Sequence, residues 1–520
     1  MLTKIGDMIG LKKKIHLTVI YCLVLSFLPH KNFSQERKIS EDELIDKISG
    51  FWIGQLTGNY LGLPFENRYV EEPIPILIDR IYTFKDDASL KINRQDWRGY
   101  LPIMIDAFWG AFADDDTDIE FVTLHAVEQY GLDLNYVEIT KEWKEHINRK
   151  IWVANRTARN LMDKGFVAPY TGNKKNNKNW FQIDAQLVNE IWGVFYPGMT
   201  QLAVDRSLWG AKITNDDWGT HPTIAYGAMI SAAFFESDPE TLVKFAIDKL
   251  PKYGPFYEGV NDVLKWHKQH DDWRIVRKKI HDKYYSYENE KSKAPVSVVS
   301  SLNNGLVGIM AILYGNGDFM KTVGIAVSAG YDCDNQAATV GGLMGVIHGS
   351  KAIPDELTKK ISVYEEWSEP FNNMYINFTR DNLSVATPID EIVMRIFNIS
   401  KTAILENGGR IELDKGNVQS LKNSVIEANY KSYKTILKFG DFQDGEIIGG
   451  DFIEETGFSY VQDGNRVRIL VDAQPNHQIF GKGLEGFYNG ESIQFNQLID
   501  NDIFWDDSYG KNVLIIDSDF

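Results

Sequence analysis

Cysteine is nearly missing from this chain: 2 in 520 residues, Cys22 and Cys333. Once an N-terminal segment carrying Cys22 is removed, one thiol remains, which excludes a fold stapled by intrachain disulfides. Positive charge is also short. Lys and Arg total 55 against 72 Asp and Glu, a formal charge of -17, and no long Lys/Arg stripe occurs outside the extreme N-terminus. That balance excludes a sequence-independent binder of nucleic-acid phosphates and gives anionic membrane surfaces nothing to attract. No internal repeat or extended low-complexity tract is present, so solenoid and linker architectures fall away as well.

The apolar run from Ile15 to Leu28 is short for a bilayer span and follows Lys12-Lys13-Lys14. This order predicts a cleavable export signal over residues 1–34 and a mature chain without a membrane span, placed in the periplasm or outside the cell. Hydrophobic content of 43% with 24% charged residues marks the remainder as ordinary folded protein.

From residue 40 to 400 the text reads as helix, and from 410 to 520 as short alternating strands separated by Gly, Asp and Asn clusters. The expected architecture is mainly α: an all-α domain followed by a small antiparallel β-sandwich module, with a linker at Glu406-Asn407-Gly408-Gly409. Ser40 to Glu43 matches a capping box at the first helix. Further helices are expected over 119–130, 226–235, 241–250, 302–313, 319–328 and 336–347. In GFWIGQLTGNYLGLPFE, Gly50, Gly54, Gly58 and Gly62 recur every four residues. Glycine weakens a helix, so a stripe of it on one face predicts another backbone packed very close.

Two acidic stretches stand at helix starts. One is ADDDTD, with Asp114, Asp115, Asp116 and Asp118; the other is GYDCDNQAATVGG, with Asp332 and Asp334 around Cys333. Each alone is explained by helix capping. Brought face to face, they would repel unless a cation lay between them, and hard divalent cations take about six oxygen ligands. Glu66, ending the glycine-striped segment, is a candidate further ligand.

GxxxGxxxGxxxGLPFE, then ADDDT, then GYDCDNQAATVGGLMG, in that order, resemble the ADP-ribosylglycohydrolase superfamily. The resemblance covers most of the helical region and neither terminus. It implies an all-α domain with two Mg²⁺ ions in a cleft, and cleavage of the bond joining the anomeric carbon of ADP-ribose to a side-chain nitrogen or oxygen. By position, Asp115 and Asp116 match the family's paired aspartates, Asp332 and Asp334 the later pair, and Glu66 the early glutamate. Asp114 and Asn335 stand where threonine is common, and both still offer oxygen to a metal. The implied metal set is therefore Glu66, Asp114, Asp115, Asp116, Asp332, Asp334 and Asn335. Glu66 and Asp116 are the candidates to hold or deprotonate an attacking water.

His221, in a Thr-His pair resembling one in the family, is a candidate substrate contact. Asn155, Arg156, Gln182 and Gln186 are polar groups among aromatics, able to line a sugar site or to satisfy buried backbone. Trp143, Trp152, Trp180, Trp192 and Trp209 are spaced as core residues or as partners for a sugar ring. Three functions stay open: hydrolysis of an ADP-ribosyl bond, including one on a modified protein; the same chemistry on another glycan, a furanoside or similar; and a non-catalytic metal- or sugar-binding role.

Overall fold

A computed structural model describes residues 37–81, 111, 115, 117–288, 293–358, 373–377 and 379–411, and beyond these the backbone of short strands. The expected signal segment 1–34, Asp114 and Asp116 lie outside the described residues. The chain is mainly helical. In order, the helices are α1 (Glu41–Gly62), α2 (Thr117–Tyr130), α3 (Tyr136–His146), α4 (Val153–Asp163), α5 (Asp184–Leu187), α6 (Ile191–Phe195), α7 (Thr200–Ala211), α8 (His221–Ala233), α9 (Pro239–Lys249), α10 (Pro255–His267), α11 (Trp273–Tyr284), α12 (Ser301–Gly315), α13 (Phe319–Ser328), α14 (Cys333–His348) and α15 (Ile389–Glu406). Among the described residues, no helix is long and apolar enough to cross a membrane.

The first helix starts where its capping residue predicts. The Ser40 hydroxyl accepts from the Glu43 N–H at 3.1 Å, and Glu41, Asp42 and Glu43 place negative charge on the positive end of the helix. One face of α1 buries Trp52, Leu56 and Tyr60. The opposite face is the glycine stripe, and α14 lies on it. A Cβ added at Gly50, Gly54 or Gly58 would come within 3.0 Å of the backbone at Gly345, Gly341 or Ala337, and one at Gly62 would meet the backbone of Asp334. Reciprocally, a Cβ at Gly341 or Gly345 would strike the Gly54 or Gly50 carbonyl.

The pairing order makes the two helices antiparallel. The end of α1 therefore lies beside the start of α14. At the opposite end, the buried Lys47 ammonium donates to the Val346 and Ile347 carbonyls at 2.9 and 3.0 Å, capping the last turn of α14.

Residues 333–347 of α14 are buried throughout, as are α8 and α12, so these helices have no solvent face to keep polar. The buried Glu120 carboxylate of α2 accepts from Gln55 Nε2 of α1 at 3.0 Å and from the Ile191 N–H at 2.7 Å, while Glu190 accepts from Thr339 of α14 at 2.6 Å. Burial and mutual repulsion raise the Glu120 carboxyl well above its usual range, and burial pushes Glu190 up to about 7.

The helical region runs past the expected end at residue 400. Ile392, Val393, Ile396, Phe397, Ser400, Ala403 and Ile404 continue one buried face of α15 to Glu406, and Gly408 at φ +87° turns the chain out of the helix. Helix α8 likewise begins five residues before the expected Tyr226, because Pro222 suits a first turn. Past α15 the backbone forms antiparallel pairs, among them Arg466–Val471 with Asn512–Asp517 and Val425–Tyr430 with Tyr433–Lys438. Strand Arg37–Ser40 pairs with Glu446–Gly449, which also takes Arg410–Glu412.

The helix pair gives a direct test. Gly58→Ala, favourable by helix propensity alone, is expected to lower stability by about 2–4 kcal/mol, because the methyl meets a backbone carbonyl that cannot move aside. A thermal or denaturant melt measures it, and an unchanged midpoint would show that the two backbones do not touch.

Candidate functional site

The antiparallel helix pair delivers three carboxylates to one place. Glu66 follows the last turn of α1, and Asp332 and Asp334 open α14. All three are buried, with a carboxylate oxygen from each lying within 4.8 Å of the others. The positive end of α14 faces this group and offsets part of its charge.

Two loops hold the carboxylates in register. The Asn67 N–H donates to the Tyr331 carbonyl at 2.7 Å, and the Tyr331 N–H to the Tyr69 carbonyl at 2.9 Å, so the segment after Glu66 and the segment before Asp332 are laced together. Asn67 Nδ2 also donates to Glu66 Oε1 at 2.9 Å. Both Asn67 and Tyr331 hold left-handed backbone, at φ +60° and +64°, a strained state for residues with a Cβ. For Tyr331 the compensation is visible: its hydroxyl lies 2.7 Å from His281 Nδ1, and the Arg277 guanidinium sits 4.5 Å from its ring centre.

Arg277 is the fastening of both loops. Its buried guanidinium donates to the Ala329 carbonyl at 3.1 Å, to the Glu71 carbonyl at 2.6 Å and to the Val70 carbonyl. Asn304 of α12 does similar work from the other side. Its Oδ1 accepts the Asp332 N–H at 3.1 Å, while its Nδ2 donates to the Val298 and Ser300 carbonyls at 2.8 and 2.9 Å. Sequence reading misses both residues, since neither has a local pattern and each acts on partners far along the chain.

Of the other expected ligands, Asp115 is buried but is not one of the three gathered carboxylates, and Asn335 is buried in the first turn of α14. Asp118 ends the acidic motif with a different task. Its Oδ2 takes Arg380 Nε at 2.7 Å and the Thr379 hydroxyl, in an ion pair with almost no exposure on either side. Cys333 donates its thiol to the Gly62 carbonyl at 3.4 Å, and burial, followed by Asp334 and Asp332, raises that thiol well above its usual range. It is a packing residue without thiolate character.

The polar candidates divide. Gln182 pairs as an isolated β-bridge with Ser300, on the segment from which Asn304 reaches Asp332. Asn155 lies on α4, and its N–H donates to Asp184 Oδ1 at 2.8 Å. Both amide atoms of Asn155, Gln182 Oε1, Gln186 Oε1 and His221 Nδ1 are buried without a protein partner. Polar atoms in that condition are suited to a polar ligand or to water. Burial lowers His221 to about 4, so its ring is neutral at pH 7.

Arg156 does not join them. Its Nε donates to the Ile151 carbonyl at 3.0 Å, its guanidinium lies over Trp152, and it lines a separate groove of about 270 Å³ with Arg149, Lys150 and Arg159. Trp143 and Trp192 are core, and Trp209 stacks on Tyr136 at 4.9 Å, so these three present no free face to a sugar.

Removing a partner from the Asp118–Arg380 pair leaves a buried charge. Asp118→Ala is therefore expected to cost about 3–5 kcal/mol of stability, read from an equilibrium melt; a loss under about 1 kcal/mol would contradict a structural ion pair here.

A family model described as ADP-ribosylglycohydrolase matches residues 40–382. Among solved structures, one described as "ADP-ribosylglycohydrolase-related protein complex" is similar with a TM-score of 0.42 and 16% identity, covering 70% of this chain and 100% of that one. No protein of curated function matches the sequence. The matched stretch contains α1, both acidic helix starts and all three gathered carboxylates, and the chain belongs to the ADP-ribosylglycohydrolase family.

Proposed function

We propose that this protein is a Mg²⁺-dependent hydrolase that cleaves an N- or O-glycosidic bond at the anomeric carbon of a ribosyl-like sugar. Family membership supports a hydrolase of glycosyl bonds. The observation that carries the finer reading is the gathering of Glu66, Asp332 and Asp334 at the joined ends of α1 and α14. Three buried carboxylates repel one another at neutral pH, and an all-oxygen donor set suits a hard divalent cation. Glu66, Asp332 and Asp334, completed by Asp114, Asp115, Asp116 and Asn335, would hold two Mg²⁺ ions. When bound, these supply positive charge that orients vicinal sugar hydroxyls and lowers the pKa of water.

The chain's own groups do the rest. Asn67 fixes one oxygen of Glu66 and so aims the carboxylate. Glu66 or Asp116 takes the proton of the attacking water as the anomeric carbon passes through an oxocarbenium-like state. His221, Asn155, Gln182 and Gln186 supply buried polar atoms to the sugar. The substrate is a small molecule, a glycan or an ADP-ribosylated protein. The N-terminal apolar segment, read as an export signal, favours a glycan met outside the cytoplasm, with the C-terminal strands forming a sandwich-like accessory module.

The test is release of ADP-ribose from protein and small-molecule conjugates, run beside a panel of oligosaccharides, with and without chelator. Release that stops on Mg²⁺ removal, and a fall of at least about 100-fold in kcat for Glu66→Gln with the helical circular dichroism intact, are expected. Sugar release without ADP-ribose release would assign the glycan substrate. Equal rates with and without chelator would overturn the metal reading.

Arg277→Lys probes positioning. A lysine cannot reach three carbonyls at once, so Mg²⁺ affinity by calorimetry is expected to drop 10–100-fold. Unchanged affinity would remove Arg277 from the account.

A further inference from the structure

We propose that His125, Glu142 and His146 form a second metal site, for Zn²⁺ or a similar borderline-soft transition ion. Helix α2 carries His125, and α3 carries Glu142 and His146 one turn apart on the same face. One Glu142 oxygen, Oε2, lies 3.1 Å from His146 Nε2 and 3.6 Å from His125 Nε2, and the three ligand atoms lie within 4.8 Å of one another. Ligands bonded at about 2.0–2.1 Å around a tetrahedral ion stand about 3.4 Å apart, which these separations bracket.

The hydrogen bonds around the trio select the ring state a metal needs. His146 Nδ1 lies 2.8 Å from the Asp381 carbonyl, which can only accept, so Nδ1 carries the proton. A neutral ring then turns the bare lone pair of Nε2 toward a carboxylate that is itself all lone pairs. The contact is repulsive unless Nε2 is also protonated or a cation sits between them. Glu142 is steadied in the same way, its Oε1 accepting the Tyr130 hydroxyl at 3.0 Å, which in turn receives Lys141 Nζ at 3.1 Å. Carbonyl and hydroxyl partners behind the ligands are the usual outer shell of a zinc site.

His125 supports the metal over the imidazolium. Its ring packs edge-on to His146 at 5.1 Å, so two charged rings on one carboxylate oxygen would oppose each other. The side chains of Glu142 and His146 are 6% and 5% exposed, whereas His125 is 28% exposed. The site is closed on the core side and open at one edge, where a fourth ligand would come from solvent.

The donor set separates this site from the carboxylate trio. Imidazole nitrogen favours Zn²⁺ over Mg²⁺, so Zn²⁺ binding can be measured with millimolar Mg²⁺ present. The full-length protein, stripped by chelator, would be titrated with Zn²⁺ by calorimetry and with Co²⁺ by its visible d–d bands. One tightly held ion is expected in the wild type and in Asp332→Asn. His125→Ala, at the open edge, should weaken it by more than about 100-fold without altering the metal-free melt, and H125C should restore it. Glu142→Gln should weaken it as well. Binding that is lost in Asp332→Asn but kept in His125→Ala, or no Zn²⁺ bound by the wild type, would overturn the proposal and leave a protonated His146–Glu142 pair.

Discussion

Everything at the candidate centre depends on two helix backbones touching. Helix pairs ordinarily keep their axes 8–10 Å apart because side chains stand between them. Along Gly50, Gly54, Gly58 and Gly62 there are none, and the facing positions of α14 are Ala337, Gly341 and Gly345. The close approach has a functional consequence beyond packing. Antiparallel helices in contact along their length must bring the end of one to the start of the other, and here that join holds Glu66, Asp332 and Asp334. Any side chain on the stripe would separate the axes and move Glu66 away from the aspartates.

Gathering like charges is costly, and the neighbourhood shows how the cost is distributed. The start of α14 contributes its dipole, and Lys47 answers the other end of the same helix. The laced loops around Tyr69 and Tyr331 hold the carboxylates together, with Arg277 tying the Val70 and Glu71 carbonyls of one loop to the Ala329 carbonyl of the other. Deeper in the core, burial and mutual repulsion raise the Glu120 carboxyl above its usual range, and burial raises that of Glu190. Carboxylate crowding thus occurs twice, at Glu120 and Glu190 in the dry interior and at the candidate metal-binding trio of the helix join.

What could be read from sequence was what repeats locally. The glycine spacing and the acidic helix starts lie within single elements, so a local reading finds them, and the glycine stripe also predicts the close approach of a second backbone. Arg277, Asn304 and Tyr331 were illegible because their roles are defined by carbonyls and amides that folding alone brings near. Asn155 and Arg156 part for an elementary reason. Neighbours on a helix diverge by about 100° at 3.6 residues per turn, so Asn155 and Arg156 face different surroundings, and the buried position went to Asn155. Asp118 was not distinguishable from its neighbours by charge, yet the helix turns it toward Arg380 rather than toward the cluster.

Helix α2 joins the two acidic themes of the molecule. Its first turn contributes Asp118 to the turn at Thr379 and Arg380, and its middle contributes His125 to the cluster with Glu142 and His146. The next residue of that turn, Asp381, closes the circuit. Its carbonyl orients the His146 ring, and its N–H donates to the His146 carbonyl at 2.9 Å. Three consecutive residues from a distant part of the chain therefore brace both the acidic motif and the histidine cluster. Since Arg380 also holds the Arg149 and Lys150 carbonyls at 2.9 and 2.8 Å, a shift of this turn would disturb α2 and the entry to α4 together. The start of α2 is thereby positioned from two directions, by α1 through Gln55 and Glu120, and by the 379–381 turn through Asp118. A metal held by His125, Glu142 and His146 would bind α2 to α3 as well, converting a hydrogen-bonded brace into a coordinated one.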